Sequence, residues 1–129
     1  MKTINTYITE RLKLSNKNPI KQTDKYDPTT WNVGDIMYCF SNHIEFYRIL
    51  RMTKAMWELQ KLDCKLTNGA YNSAQYTAIP LEDKPLNGIW KMRKGKYGKW
   101  IINGPVYKST YYEVILWEGD PVTAKGNMF

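Results

Sequence analysis

The chain is poor in the residues that most often declare a chemistry. It holds one histidine, His43, and two cysteines, Cys39 and Cys64. Two cysteines are too few for a disulfide scaffold, so both are expected as free thiols in a reducing compartment. A single imidazole must serve any Ser-His-Asp or Cys-His arrangement, and no serine sits in the glycine-flanked pattern of a nucleophile elbow. Cys39, His43 and Cys64 make three soft donors without a paired Cys-x-x-Cys knuckle or a fourth ligand, so no metal is expected. Gly95 and Gly98 are flanked by lysines but lack the spacing and following helix of a phosphate-cradling loop. The acidic pairs Glu82-Asp83 and Glu118/Asp120 fall in turn-like contexts, whereas glycosidase chemistry needs two carboxyls facing each other across a cleft. The expectation is therefore a protein that is not an enzyme and needs no cofactor. Long apolar runs are missing as well. The longest, Ile36–Phe40, is far short of the ~20 residues that cross a bilayer, and no apolar segment follows the charged start. Neither a membrane span nor export through a signal peptide is expected.

What the chain has is aromatic and basic. Its 129 residues are 43% hydrophobic and 14% aromatic, enough buryable surface for one ordered domain and against wholesale disorder. Ile4, Tyr7, Ile8 and Leu12 stand at helical spacing with polar residues between them, which predicts a short amphipathic helix over residues 1–14. A helix this short needs something to dock on, the body or a partner. Residues 15–30 contain two prolines and many polar residues and read as a linker. Residues 31–129 then read as a β domain. Runs rich in Ile, Val, Tyr, Phe and Trp at 33–40, 44–52, 55–62, 75–81, 89–93, 99–102 and 111–117 are separated by turn residues. Thr53-Lys54 is expected to close a tight hairpin, Pro80 to stop a strand, and the Glu118-Gly119-Asp120-Pro121 turn to lead into a tail. Close-spaced strands without helices between them predict a mainly β fold, a small antiparallel SH3-like or OB-like barrel behind the N-terminal helix.

The net charge of +7 is unevenly placed. Residues 84–108 carry Lys84, Lys91, Arg93, Lys94, Lys96, Lys99 and Lys108 and no acid, while residues 26–83 are slightly acidic. Clustering matters because charges further apart than about 8 Å are screened in physiological salt. At residues 89–100, IWKMRKGKYGKW, cations alternate with rings across a predicted hairpin. Period-2 alternation puts Lys91 and Arg93 on one face and Trp90 and Met92 on the other. Cations release counterions when they meet phosphates, and exposed rings stack bases, so Lys91, Arg93, Lys94, Lys96, Tyr97, Lys99 and Trp100 form the candidate nucleic-acid-binding set. The same pattern also describes a solvated lysine-rich hairpin whose tryptophans are core.

Gly34-Asp35-Ile36-Met37-Tyr38, Asn42-His43-Ile44-Glu45-Phe46-Tyr47-Arg48-Ile49-Leu50 and Thr53-Lys54, with the closing stretch Trp117-Glu118-Gly119-Asp120-Pro121, resemble a family of small β-rich proteins encoded by bacteriophages and mobile elements. The similarity spans residues 31–122. The family's serine, tryptophan, glycine, tyrosine insert is shortened here to Cys39-Phe40-Ser41. The resemblance implies a phage-like origin, a compact β domain and a place in the host cytoplasm or within a virion, and it transfers no catalytic residue. The opening segment is similar to short N-terminal segments of proteins of large gut bacteriophages, which implies docking or packaging. The expected function is thus a phage-like accessory protein that binds nucleic acid through the basic and aromatic hairpin. The rival is a protein-interaction module, either a virion or cargo component docking through Ile4, Tyr7, Ile8 and Leu12, or an inhibitor of a host defence, for instance by sequestering an anionic nucleotide. A DNA-mimicking inhibitor is disfavoured because it would be acidic.

Overall fold

A computed structural model describes residues 24–95, 99–104 and 110–126. The helix expected at 1–14, with Ile4, Tyr7, Ile8 and Leu12, lies outside these residues, as do Lys96, Tyr97 and Lys108. Among the described residues the helical pieces are two 3-10 turns, Asp24–Tyr26 and Pro28–Thr30. They fall within the stretch read as a linker and are tied to the body. The Trp31 Nε1–H donates to the Asp24 carbonyl at 2.8 Å, and Lys25 pairs with Glu118 at 3.6 Å. The Asp27 carboxylate caps the second turn by accepting from the Thr29 N–H at 3.1 Å, an oxygen satisfying an otherwise orphaned donor.

Strands β1 (Ile36–Phe40), β2 (Ile44–Met52), β3 (Trp57–Gly69), β4 (Gln75–Pro85), β5 (Trp90–Lys94), β6 (Trp100–Asn103), β7 (Thr110–Tyr112), β8 (Ile115–Leu116) and β9 (Val122–Lys125) follow. They form one sheet in the order β7-β6-β5-β3-β2-β1-β8, with β4 on the second half of β3 and β9 on β4. All pairings are antiparallel. β7 and β8 stand at opposite ends of that order, yet only Glu113 and Val114 separate them in the chain. Trp100 pairs with Tyr112 on one side and Met37 with Leu116 on the other, so the sheet curls into a half-barrel whose two ends meet in one stretch of chain.

The curl encloses Met37, Cys39, Tyr47, Ile49, Leu59 and Met92, each 2% exposed or less, and it is closed at one end by Trp31, Trp57 and Trp100. A second cluster, with Ile36, Ile44, Phe46 and Tyr76 at its centre, lies on the opposite face of β1 and β2. Consecutive side chains of a strand point to opposite faces, so IMYCF and IEFYRIL feed both clusters alternately. A strand apolar on both faces must be covered on both, and β4 and β9 supply the outer cover. The Ile44 N–H donates to the Tyr76 hydroxyl at 2.9 Å and links the two layers.

Five expectations are corrected in detail. Thr53-Lys54 is not a tight two-residue hairpin: Met52 pairs with Trp57, and the loop between them is held by the Thr53 N–H and hydroxyl donating to the Met56 carbonyl. Without glycine the chain cannot adopt the positive φ angles of a primed two-residue turn, and a longer loop results. β3 continues past Leu62 to Gly69. β4 passes through Pro80 to Pro85, because both prolines lie at register shifts beyond the reach of β9, where a missing N–H costs no ladder bond. The stretch expected as a single last strand is divided at Glu113-Val114, and the expected tail forms β9 by pairing with Gln75 to Ala78.

Candidate nucleic-acid interface

β5 carries Lys91, Arg93 and Lys94, Lys99 immediately precedes β6, and alternation along β5 sorts most of the cations from the rings. Along β5, Trp90 and Met92 are buried while Lys91, Arg93 and Lys94 are exposed. Arg93 lies opposite Ile101, and the Gly95 N–H donates to the Lys99 carbonyl, so the exposed Lys99 adjoins the end of the same ribbon. Lys91 also lies opposite Glu58, whose carboxylate is 3.9 Å from Arg51. Among the described residues ion pairs are formed by Lys25, Arg48, Arg51 and Lys61, while Lys91, Arg93, Lys94 and Lys99 are exposed.

Trp100, expected among the stacking rings, is 9% exposed, and its ring centroid lies 5.3 Å from that of Trp57 on the inner face of the curl. Trp90, also 9% exposed, packs edge-on against Tyr47 at 6.1 Å. Ladder geometry decides this: Trp90, Met92, Trp100 and Ile102 take the inward positions of their strands and belong to one cluster. Among the described residues the cationic face therefore carries no projecting indole.

Beside that face the structure forms a groove of about 440 Å³ that sequence reading missed. Trp57, Trp100 and Met92 form its floor, and Met52 and Met56 flank it. Lys54, Arg93 and Lys94 stand on its rim. Met56 is 36% exposed, and behind the groove Trp57 packs at a tilt against Trp31, with ring centroids 6.2 Å apart. The missing residues were Lys54, Met56 and Trp57. They lie about 40 positions before the basic hairpin, and only the pairing of Trp57 with Met92 brings the two segments together.

The three residues weighed for catalysis or metal do not converge. Cys39 is fully buried in the inner cluster, Cys64 packs on the outer one, and His43 stacks on Tyr71 at a ring distance of 4.1 Å. The Cys64 Sγ lies 3.5 Å from the Tyr71 hydroxyl. Burial pushes the Cys39 thiol well above its ordinary range, with the nearby Glu45 charge adding to the effect, so it is held as a neutral thiol. Among the described residues no three of His, Cys, Asp or Glu are grouped to hold a metal ion.

Comparison with known proteins returns no family model, no curated protein and no solved structure similar to the chain. Among the described residues no helix is long and apolar enough to cross a membrane.

Proposed function

We propose that this is a phage-type accessory protein, an SH3-like barrel without enzymatic activity, that binds nucleic acid through the β5 and β6 ribbon. The observation carrying this reading is the exposure of Lys91, Arg93, Lys94 and Lys99 on one two-stranded ribbon, joined by Lys54 across the groove. Each cation that meets a phosphate releases a condensed counterion, which makes affinity salt-dependent and sequence-tolerant. The buried indoles support a mode dominated by phosphate contacts over one in which the hairpin presents a row of rings.

The test is a titration of a labelled single-stranded oligonucleotide at several salt concentrations, comparing the protein with a variant carrying Lys91, Arg93, Lys94 and Lys99 all changed to alanine. At ~0.7 counterions per phosphate contact on a single strand, the slope of log K against log salt becomes shallower by about three. Parallel lines for the two proteins would refute the assignment.

A further inference from the structure

We infer that the groove between the β2–β3 loop and the end of β5 receives one unpaired base of a bound single strand, with the adjoining phosphates on its cationic rim. This deepens the reading above and rests on it. Four features of the groove specify the occupant. Its floor is apolar, where Trp57 and Trp100, 6% and 9% exposed, reach the surface beside Met52 and the more exposed Met56. That surface favours a flat, polarisable group over a hydrated ion, and the partly exposed Met56 supplies a thioether wall that adapts to the shape of a ring. The rim is basic, since Lys54 enters from the β2–β3 loop and Arg93 and Lys94 from β5. On the far wall the Thr29 hydroxyl is turned to Asp27, donating at 2.6 Å, so that carboxylate is already engaged. The volume, about 440 Å³, lies within the ~300 to 1,000 Å³ of small-molecule sites.

Aromatic floor and cationic rim together match an anion with a ring attached, which is a nucleotide. The groove is continuous with the basic ribbon through Arg93 and Lys94, which belong to both. A strand whose phosphates meet Lys54, Arg93 and Lys94 lies along the groove and can place a base in it. A paired base cannot enter without leaving its partner, so duplex DNA meets only the ribbon.

The experiment uses the full chain and three probes: an oligothymidylate, an abasic oligomer with the same number of phosphates, and thymidine monophosphate. Base insertion gives about fivefold tighter binding of the oligothymidylate than of the abasic strand, the lower end of what one stacked base contributes, with quenching of tryptophan fluorescence. Met56→Trp, which fills the groove, abolishes that ratio while leaving the salt slope unchanged. Lys54→Ala, an exposed loop substitution that leaves the core intact, weakens binding of both strands and makes the salt slope shallower by about 0.7. Equal binding of the base-bearing and abasic strands with a steep salt slope overturns the inference while the ribbon reading stands. Failure of both strands to bind overturns the two together. Monophosphate binding as tight as that of the oligomer also overturns it, because the occupant is then a free nucleotide.

Discussion

Lys61 and Glu45 place a charged pair at the inner face of the curl, and changing it tests how far that interior excludes water. Lys61 lies opposite Tyr47 across β2 and β3, and its Nζ donates to the Glu45 Oε2 at 2.8 Å. Glu45 Oε1 accepts from the Tyr47 hydroxyl at 3.1 Å. The ammonium also sits 5.6 Å from the Trp90 ring centroid and 6.0 Å from that of Tyr47. The two side chains are 23% and 22% exposed, between a surface pair and a sealed one. Breaking a sealed pair costs about 3 to 5 kcal/mol and an exposed pair about 0.2 to 1, so Lys61→Met is expected to cost about 2 kcal/mol. The methionine keeps the stem over Trp90 and removes only the charge, leaving Glu45 with the tyrosine hydroxyl alone. Glu45→Gln is milder, about 1 kcal/mol, because the long lysine stem can carry its head toward water. In the double variant no charge is stranded, and the loss is about 1.5 kcal/mol in place of the additive 3. Urea unfolding followed by tryptophan fluorescence measures all four proteins. With a slope of about 1.5 kcal/mol/M, the Lys61→Met midpoint falls by roughly 1.3 M. A Lys61→Met loss below about 0.5 kcal/mol, or a double variant that costs the sum of the singles, would show the pair to be solvated and the interior open there.

Further tests address backbone, thiols and pH. At Gly69 φ is +74° and a Cβ would meet the Gln75 carbonyl oxygen at 2.5 Å, whereas at Gly34, φ +94°, nothing lies within 4 Å. Gly34→Ala is therefore expected to cost about 1 kcal/mol of backbone strain, and Gly69→Ala clearly more, in the same denaturation assay. Equal costs would contradict the close approach of β3 and β4. A disulfide reagent should titrate one thiol quickly in the native protein, that of Cys64, and the second, the fully buried Cys39, only after denaturant is added. The alkaline limb of stability has a defined sign. Burial, with the Glu45 charge adding to it, raises Cys39 above its ordinary 9.0; burial, followed by charge contacts and the hydrogen bond to Glu45, raises Tyr47 above 10.0. The folded protein keeps these protons while the unfolded chain releases them, so stability holds below about pH 9 and then falls by roughly 1.4 kcal/mol per pH unit for each group. Tyr47→Phe should flatten this fall above about pH 10, and an unchanged pH profile would refute the assignment.

The β class and most strand positions were legible because side-chain alternation is a local property. IEFYRILRM declares a strand by its own composition, and β2 has the bounds read from sequence. β3 was read too short, since its second half, DCKLTNG, is mostly polar and is strand only through pairing with β4. β9 was missed for the same reason: four residues carry little signal, and Gln75 to Ala78 provide the ladder. At the candidate site, the exposure of Lys91 and Arg93 followed from period-2 alternation. The burial of Trp100 needed the curl, because alternation alone assigns a residue to a face and leaves open whether that face is covered.

By itself the sequence determined what is carried by neighbours along the chain: a strand-rich domain, two free thiols, and a basic segment without acids. Which face of each strand became interior, and that Lys54 and Trp57 came to stand beside Arg93 and Trp100, only the tertiary structure decided. The physical reason is range. Alternation and charge act over a few residues, whereas the groove arises from pairing Trp57 with Met92 across β3 and β5, segments far apart in the chain that only the sheet topology makes neighbours.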